Sequence, residues 1–252
     1  MIHYHGSPLG GNNQDKVRFY HGRHALVPFS YPDDIGVVAD VCKSFVLDNG
    51  AFTVWKKGEV FDFDGYYDFV KEWYLHPGFE WALAPDIIDG SEEENDELLE
   101  RIPDDLKKYM VPVWHMHESL ERFERLCNTN KCVAIGSSGE YPSPGAKVWW
   151  VRIADAMNKI CDNQGRPPCK LHGLRMLNPK IFTKLPLSSA DSTNAARKVC
   201  LNQNLFGTYK PPKGWQRAVV VADRAEAFNS APAWSKSGFS YEGMLLDDFE
   251  LV

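Results

Sequence analysis

Several familiar signatures are missing from this chain, and each absence narrows what it can be. No run of 18 apolar residues occurs, so no membrane span is expected. The N-terminus, Met1-Ile2-His3-Tyr4-His5, lacks the basic and apolar regions of a secretory signal, and a cytoplasmic protein is expected. No CxxC pair occurs among the six cysteines, at 42, 127, 132, 161, 169 and 200. Their spacing fits no common zinc pattern, so they read as reduced thiols. An excess of positive charge is also missing. The balance of 28 Lys and Arg against 34 Asp and Glu leaves a net charge of −6. That argues against binding nucleic acid by bulk electrostatics, which needs clustered cations to neutralise phosphates. The turn-rich loop Gly6–Asn12 has the glycines to let a backbone approach a ligand, but it lacks the GK[ST] ending of a P-loop. No GxGxxG follows the first strand, which weakens a dinucleotide-binding reading. No long linker, charge block or low-complexity tract divides the chain, so residues 1–252 are expected to form a single domain.

What is present is an alternation of short apolar strands and helices. Ile2–His5, His24–Phe29, Ser44–Leu47, Trp81–Ala84, Met110–Trp114, Cys132–Ile135, Lys170–Leu171 and Leu187–Ala190 read as strands, with Ala218–Ala222 as a last apolar run before a helix at Arg224–Phe228. Most are continuous apolar runs, as strands buried on both faces should be. Helical patterns stand between them. Phe63–Tyr74 follows the cap-like Asp62. Ser91 caps a helix with Glu92, Glu93 and Glu94 in its favourable first turn. A longer helix is expected to turn Val148, Val151, Ile153, Met157 and Ile160 inward. Alternating elements of this kind predict an α/β fold with a parallel sheet, and about eight strands favour a (β/α)8 TIM-like barrel.

In such a barrel the chemistry gathers at the carboxyl ends of the strands. Those ends carry Asp48 (in Asp48-Asn49-Gly50-Ala51-Phe52), Asp86, Trp114-His115 with His117, the loop Gly136-Ser137-Ser138-Gly139, His172 with Arg175, and Asp191. Asp191 ends a buried strand and runs at once into Ser192-Thr193-Asn194, which are helix-capping types. Several carboxylates at one mouth suit two tasks. An ionised Asp only accepts hydrogen bonds, so it reads the N–H edge of a heterocycle. A carboxylate can also attack an electrophilic carbon and form a covalent intermediate. Trp114, Trp149 and Trp150 have the rings to stack bases, although tryptophans at these spacings also suit a core.

The order L-D-N-G-A-F, A-P-D-I-I-D, A-I-G-S-S-G-E and A-D-S-T-N-A-A-R, over roughly residues 44–197, resembles the tRNA-guanine transglycosylase superfamily. It is most similar to the compact phage-type branch that inserts 7-deazaguanine bases into DNA. The resemblance implies a (β/α)8 barrel and a pentosyltransferase that exchanges guanine in nucleic acid, DNA rather than tRNA, for a free 7-deazaguanine. It implies that Asp191 is the nucleophile and that Asp48 contacts the base or moves a proton. By the same resemblance Asp86 reads the base edge and Gly136, Ser137 and Ser138 offer backbone contacts; Trp114, His115, His172 and Arg175, at the strand ends, are further candidates for the substrate site. The tRNA enzymes carry a C-terminal CxC…CxxC…H zinc site that this chain lacks, so no metal or other cofactor is expected. Where that family often has a strand-end glutamine this chain has Trp114-His115, so the resemblance does not fix the base.

Two other readings stand beside it. His115-Met116-His117 resembles the metal pair of barrel hydrolases, and with His172 and Asp191 it would make a His₃Asp site. A non-catalytic barrel binding a base, nucleotide or protein partner is the third. Charge is asymmetric along the chain: basic residues including Lys170, Arg175, Lys198 and Arg224 enrich the last third, and acid gathers at Ser91–Glu100 and Asp247-Asp248-Phe249-Glu250. A homodimer or partner protein that helps hold a polyanion is a further expectation.

Overall fold

The structure is a computed structural model and describes residues 1–197, 206 and 209–235. Lys198, Cys200 and the acidic run Asp247–Glu250 lie outside the described residues. The strands are β1 (Ile2–Gly6), β2 (His24–Pro28), β3 (Ser44–Asp48), β4 (Phe79–Leu83), β5 (Met110–Val111), β6 (Val113–His115), β7 (Cys132–Gly136), β8 (Lys170–Gly173) and β9 (Ser189–Ser192). The α-helices are α1 (Asn13–Tyr20), α2 (Ile35–Val41), α3 (Ala51–Lys57), α4 (Phe63–Trp73), α5 (Glu92–Glu100), α6 (Leu120–Thr129), α7 (Lys147–Ile160), α8 (Pro179–Phe182), α9 (Asn194–Arg197) and α10 (Gly214–Glu226).

All strand pairs are parallel, and the sheet order is β5-β4-β3-β2-β1-β9-β8-β7-β6. The two ends of that order are consecutive lengths of chain separated by Pro112 alone. Proline has no N–H to give a ladder. Its carbonyl still accepts from Ala134 N at 2.9 Å, and Val111 O accepts from Ala84 N at 2.8 Å. The nine strands among the described residues therefore occupy the eight positions of a TIM-like barrel, with β5 and β6 sharing one.

Strand alternation sorts the residues into two layers. One set faces the barrel axis. Tyr4, Leu26, Val46 and Trp81 pack together, and Leu83, Val111, Val113 and Ala134 form a second group beside them. The alternate set, including Val27, Phe45, Leu47, Ala82, Val133, Ile135, Leu171 and Ala190, packs outward against the helices. The phase of each strand thus decides which residues reach the mouth.

Two expectations on helices are corrected. The helix expected at Arg224–Phe228 begins at Gly214, so the apolar run Ala218–Ala222 is the middle of α10, and β9 pairs with β1 without needing it. Ala218 and Ala222, one helical turn apart, are its buried face. In α7 the inward residues are Trp149, Trp150, Ile153, Ala156, Met157 and Ile160. Val148 and Val151 are 53% and 44% exposed, off that stripe. Among the described residues no helix is long and apolar enough to cross a membrane.

Candidate active site

The carboxyl ends of the strands surround a cavity of about 100 Å³ whose walls include Asp48, Asp86, His115, Gly136, Ser137, Arg175 and Asp191. Seven residues expected at a binding site therefore meet in one place. Each arrives there for a local reason. Asp48 ends β3 in phase with Val46, which faces the axis. Gly50 follows it with φ +77°, in the left-handed region, and caps α3. The turn brings Gly50 N–H to Asp48 Oδ1 at 3.0 Å. Asn49 holds the next carboxylate: its amide donates to Asp86 Oδ1 at 2.5 Å and to Ala84 O at 2.7 Å, while its oxygen accepts from Ala51 N at 2.8 Å.

Asp86 also meets His115, whose Nε2 lies 2.8 Å from Asp86 Oδ2 as an ion-pair contact off the hydrogen-bond axis. Burial pushes the His115 imidazole down, but the Asp86 carboxylate outweighs it and Glu118 adds to it, so the net direction is up. The other nitrogen, Nδ1, is buried with no protein partner among the described residues. It lies beside Gly136 on the cavity wall, where a Cβ would come within 3.2 Å of it. A buried polar atom without a protein partner at such a wall is available to a ligand.

Asp191 sits in β9 in phase with Ser189, and its Oδ1 accepts the Arg175 N–H at 3.0 Å. His172 Nε2 stands 3.3 Å from the same oxygen, with its Nδ1 on Ser189 Oγ at 2.8 Å. One carboxylate oxygen is thus anchored, and among the described residues Oδ2 takes no hydrogen bond, while the residue lines the cavity. Arg175 holds that N–H in place with φ +61°, a conformation that costs a non-glycine residue of order 1 kcal/mol. Its guanidinium extends over the exposed Phe52 ring, 5.2 Å from the centroid, at the rim of the same cavity.

Asp48 has the least ordinary environment. Burial raises its carboxyl to about 7; the Gly50 N–H opposes this, and repulsion from Asp191 and Asp86 adds to it. A carboxyl poised near neutrality can hold and return a proton.

Three expected contacts are placed elsewhere. Trp114 is out of phase with Val113 and His115, so it points outward, fully buried and stacked on Phe123 of α6 at 4.3 Å, with its indole N–H on Ser119 O. Trp149 and Trp150 are likewise core. His172 lies one layer below the mouth, edge-on to Tyr4 and Trp81, and reaches the cavity only through Asp191. Ser138 is buried with its hydroxyl on His117 Nδ1 at 2.8 Å. The Gly6–Asn12 loop does not line the cavity either: Leu9 N–H is tied at 2.7 Å to the buried carboxylate of Asp34.

His117 also bears on metal binding. Its Nε2 is engaged by Gly90 O at 3.0 Å, so both ring nitrogens are held by the protein. Among the described residues no three His, Cys, Asp or Glu side chains are disposed to hold a metal ion. A wider cleft of about 390 Å³, lined by Asp89, His117, Gly139, Glu140 and Tyr141, opens at the same end of the barrel. It lacks the strand-end carboxylates that line the smaller cavity.

Several participants are not apparent from the motifs. Asn49 joins Asp48's turn to Asp86, and Phe52, Ile88 and Leu174 supply apolar wall. Beneath His115, Glu118 accepts the His115 N–H at 2.9 Å and pairs with Arg122 at 2.6 Å, while Asn95 donates to its other oxygen at 3.0 Å. The four-residue spacing of Glu118 and Arg122 at a helix start is the one signal that could have found this support. No family model matches the chain, and no curated protein sequence matches it.

Proposed function

We propose that the protein is a base-exchange transglycosylase, which replaces guanine in nucleic acid, DNA in the first place, with a free 7-deazaguanine. The observation that carries the reading is the cavity itself. Carboxylates from the β3 end, the loop after β4 and β9 share it, and one of them holds its proton near neutral pH.

The roles divide by environment. Asp191 Oδ2 attacks C1′ of the target nucleotide as the bond from C1′ to the base breaks, giving a covalent aspartyl-nucleotide. Asp48 delivers its proton to the departing guanine and recovers one from the incoming base. That base then displaces Asp191 from C1′, and two displacements give net retention. Asp86, set by Asn49 and His115, accepts from the donor edge of the base. Gly136 and Ser137 form the wall against it, and Arg175 reaches from the rim toward phosphate. Lys56 and Lys57 are exposed in the last turn of α3, the helix whose Ala51 and Phe52 line the cavity, and Lys57 is paired with Glu59. A local basic edge of this sort is compatible with a net negative chain.

The test is base exchange itself. The protein is mixed with duplex DNA, single-stranded DNA or tRNA plus labelled guanine or a 7-deazaguanine, beside Asp191→Asn. Label entering one polymer with the wild type alone is the expected result and names the substrate. Release of guanine without incorporation would mean a nucleosidase, and no reaction with any polymer would refute the proposal.

A further inference from the structure

The rim of the mouth beyond β2, β3 and β4 carries exposed rings to which the chemistry gives no task. Phe52 and Trp55 of α3 are 44% and 47% exposed, and their ring centroids lie 5.7 Å apart with the planes at 38°. Phe52 lines the cavity, whereas Trp55 is not part of its wall. Tyr31, after β2, and Ile87, after β4, are exposed at the same end of the barrel. The rings are held in place. The Trp55 indole N–H donates to Asp89 Oδ2 at 2.7 Å, which ties α3 to the loop after β4. The Arg175 guanidinium lies over Phe52, and Lys57 Nζ stands 5.5 Å from the Tyr31 ring centroid.

Exposed aromatic rings gathered beside a cavity mark an interaction surface. Their neighbours indicate its occupant. Arg175, Lys56 and Lys57 place positive charge around the rings, although Lys57 also pairs with Glu59 at 3.8 Å. The wider cleft has two carboxylates, Asp89 and Glu140, and no Lys or Arg in its lining. A phosphate backbone is therefore drawn to the α3 side. A duplex cannot enter a cavity of about 100 Å³, so a base held there has left its stack. The bases beside it then present a bare face. Aromatic rings at the lip can cover that face, and the contact tolerates any sequence because every base has one.

We infer that Phe52 and Trp55 form a stacking platform for the nucleotides flanking the target, so that the mouth takes DNA as a single or locally opened strand. The platform deepens the proposed base exchange and rests on it for the nucleotide held at the mouth. Arg175 serves both parts. Its backbone N–H anchors Asp191 at 3.0 Å, and its guanidinium, on Phe52, supplies charge for a phosphate next to a stacked base.

The experiment titrates the full chain with a single-stranded deoxyoligonucleotide containing one guanine, and with the same strand in duplex, without free base. Anisotropy of a fluorescein-labelled strand gives the affinity, and quenching of indole emission by an unlabelled strand reports stacking. The expected result is tighter binding of the single strand than of the duplex, with quenching. Trp55→Ala should weaken single-strand binding roughly tenfold. Trp55→Phe should restore most of the affinity but lose the share of quenching that Trp55 supplies. Equal single-strand affinity in wild type and Trp55→Ala, or a preference for duplex, would overturn the inference. So would a Trp55→Ala protein that changes its oligomeric state in the ultracentrifuge at unchanged affinity, because the rings would then belong to a contact with a second copy of the chain. Base exchange by a protein whose affinity ignores Trp55→Ala refutes the platform and leaves the exchange standing. Binding that depends on Trp55, with no exchange of any base, supports the platform and refutes the exchange.

Discussion

Replacing Asp48 by asparagine should make the protein more stable at pH 8 and less able to exchange bases. The side chain keeps its shape, and the Asn oxygen can still accept the Gly50 N–H that Asp48 takes at 3.0 Å. What is removed is a carboxyl whose pKa stands at about 7 in the fold against an ordinary 3.8. Between those values the native state binds more protons than the unfolded chain. Stability from this group is therefore full below about pH 4, falls as pH rises to about 7, and is flat beyond. The gap, at about 1.4 kcal/mol per pH unit, gives about 4 kcal/mol. Asp48 lines a cavity open to water, which reduces this to about 2–4 kcal/mol. Urea unfolding of both proteins from pH 4 to pH 8 measures it. The wild type should lose ground to Asp48→Asn steadily across pH 4 to 7. A difference that does not change with pH would refute the burial and repulsion assigned to Asp48, and with them the role as proton carrier proposed for it.

Asp191→Asn should abolish exchange, by roughly a thousandfold or more, while leaving the thermal unfolding midpoint within a few degrees, because the Asn oxygen still accepts the Arg175 N–H. Base-exchange rates and calorimetry check the two halves. Asp86→Ala should weaken base binding, read by calorimetric titration. It should also drop the His115 imidazole below the ordinary histidine value, since burial then acts without its main opposing carboxylate; a nitrogen-detected NMR titration follows that ring. Arg175→Gly should relieve a positive φ and raise stability by up to about 1 kcal/mol while nucleic-acid affinity falls, whereas Arg175→Ala should lose affinity without the gain. Trp114→Ala should cost about 3–5 kcal/mol of stability and leave the apparent affinity for the free base unchanged.

The barrel was legible because its signals are local. Continuous apolar strands, Asp48-Asn49-Gly50 and the Ser91 capping box each read directly into the element found. The mouth followed from the fold, since a strand-end carboxylate in a parallel barrel has one place to go. What misled was phase and context. Trp114 and His115 are neighbours in sequence, but alternation sends one outward to Phe123 and the other inward to Asp86. Only the partner strand fixes which, and Pro112 hides the count by splitting the strand. Ala218–Ala222 reads as an apolar run ahead of a helix; its residues instead lie within α10, with Ala218 and Ala222 buried. The Arg175 backbone could not be foreseen, because nothing in Gly173-Leu174-Arg175 marks a non-glycine residue for positive φ.

That backbone and the Asp48 carboxyl together explain how three acids can share so small a space. Three full negative charges in one buried cavity would repel one another strongly. Asp48 keeps a proton up to about pH 7. Asp86 faces an imidazole whose affinity for a proton is raised by that contact. Asp191 is left facing the cavity, with one oxygen held by the strained Arg175 N–H and with His172 behind it. Repulsion at the mouth is thus eased at Asp48 and at Asp86, and Asp191 has one oxygen anchored. This distribution suits attack on a carbon that becomes positive as a base leaves, with a protonated acid beside it. Shifting Arg175 out of its left-handed conformation would free the anchored oxygen and let the Asp191 carboxylate turn away.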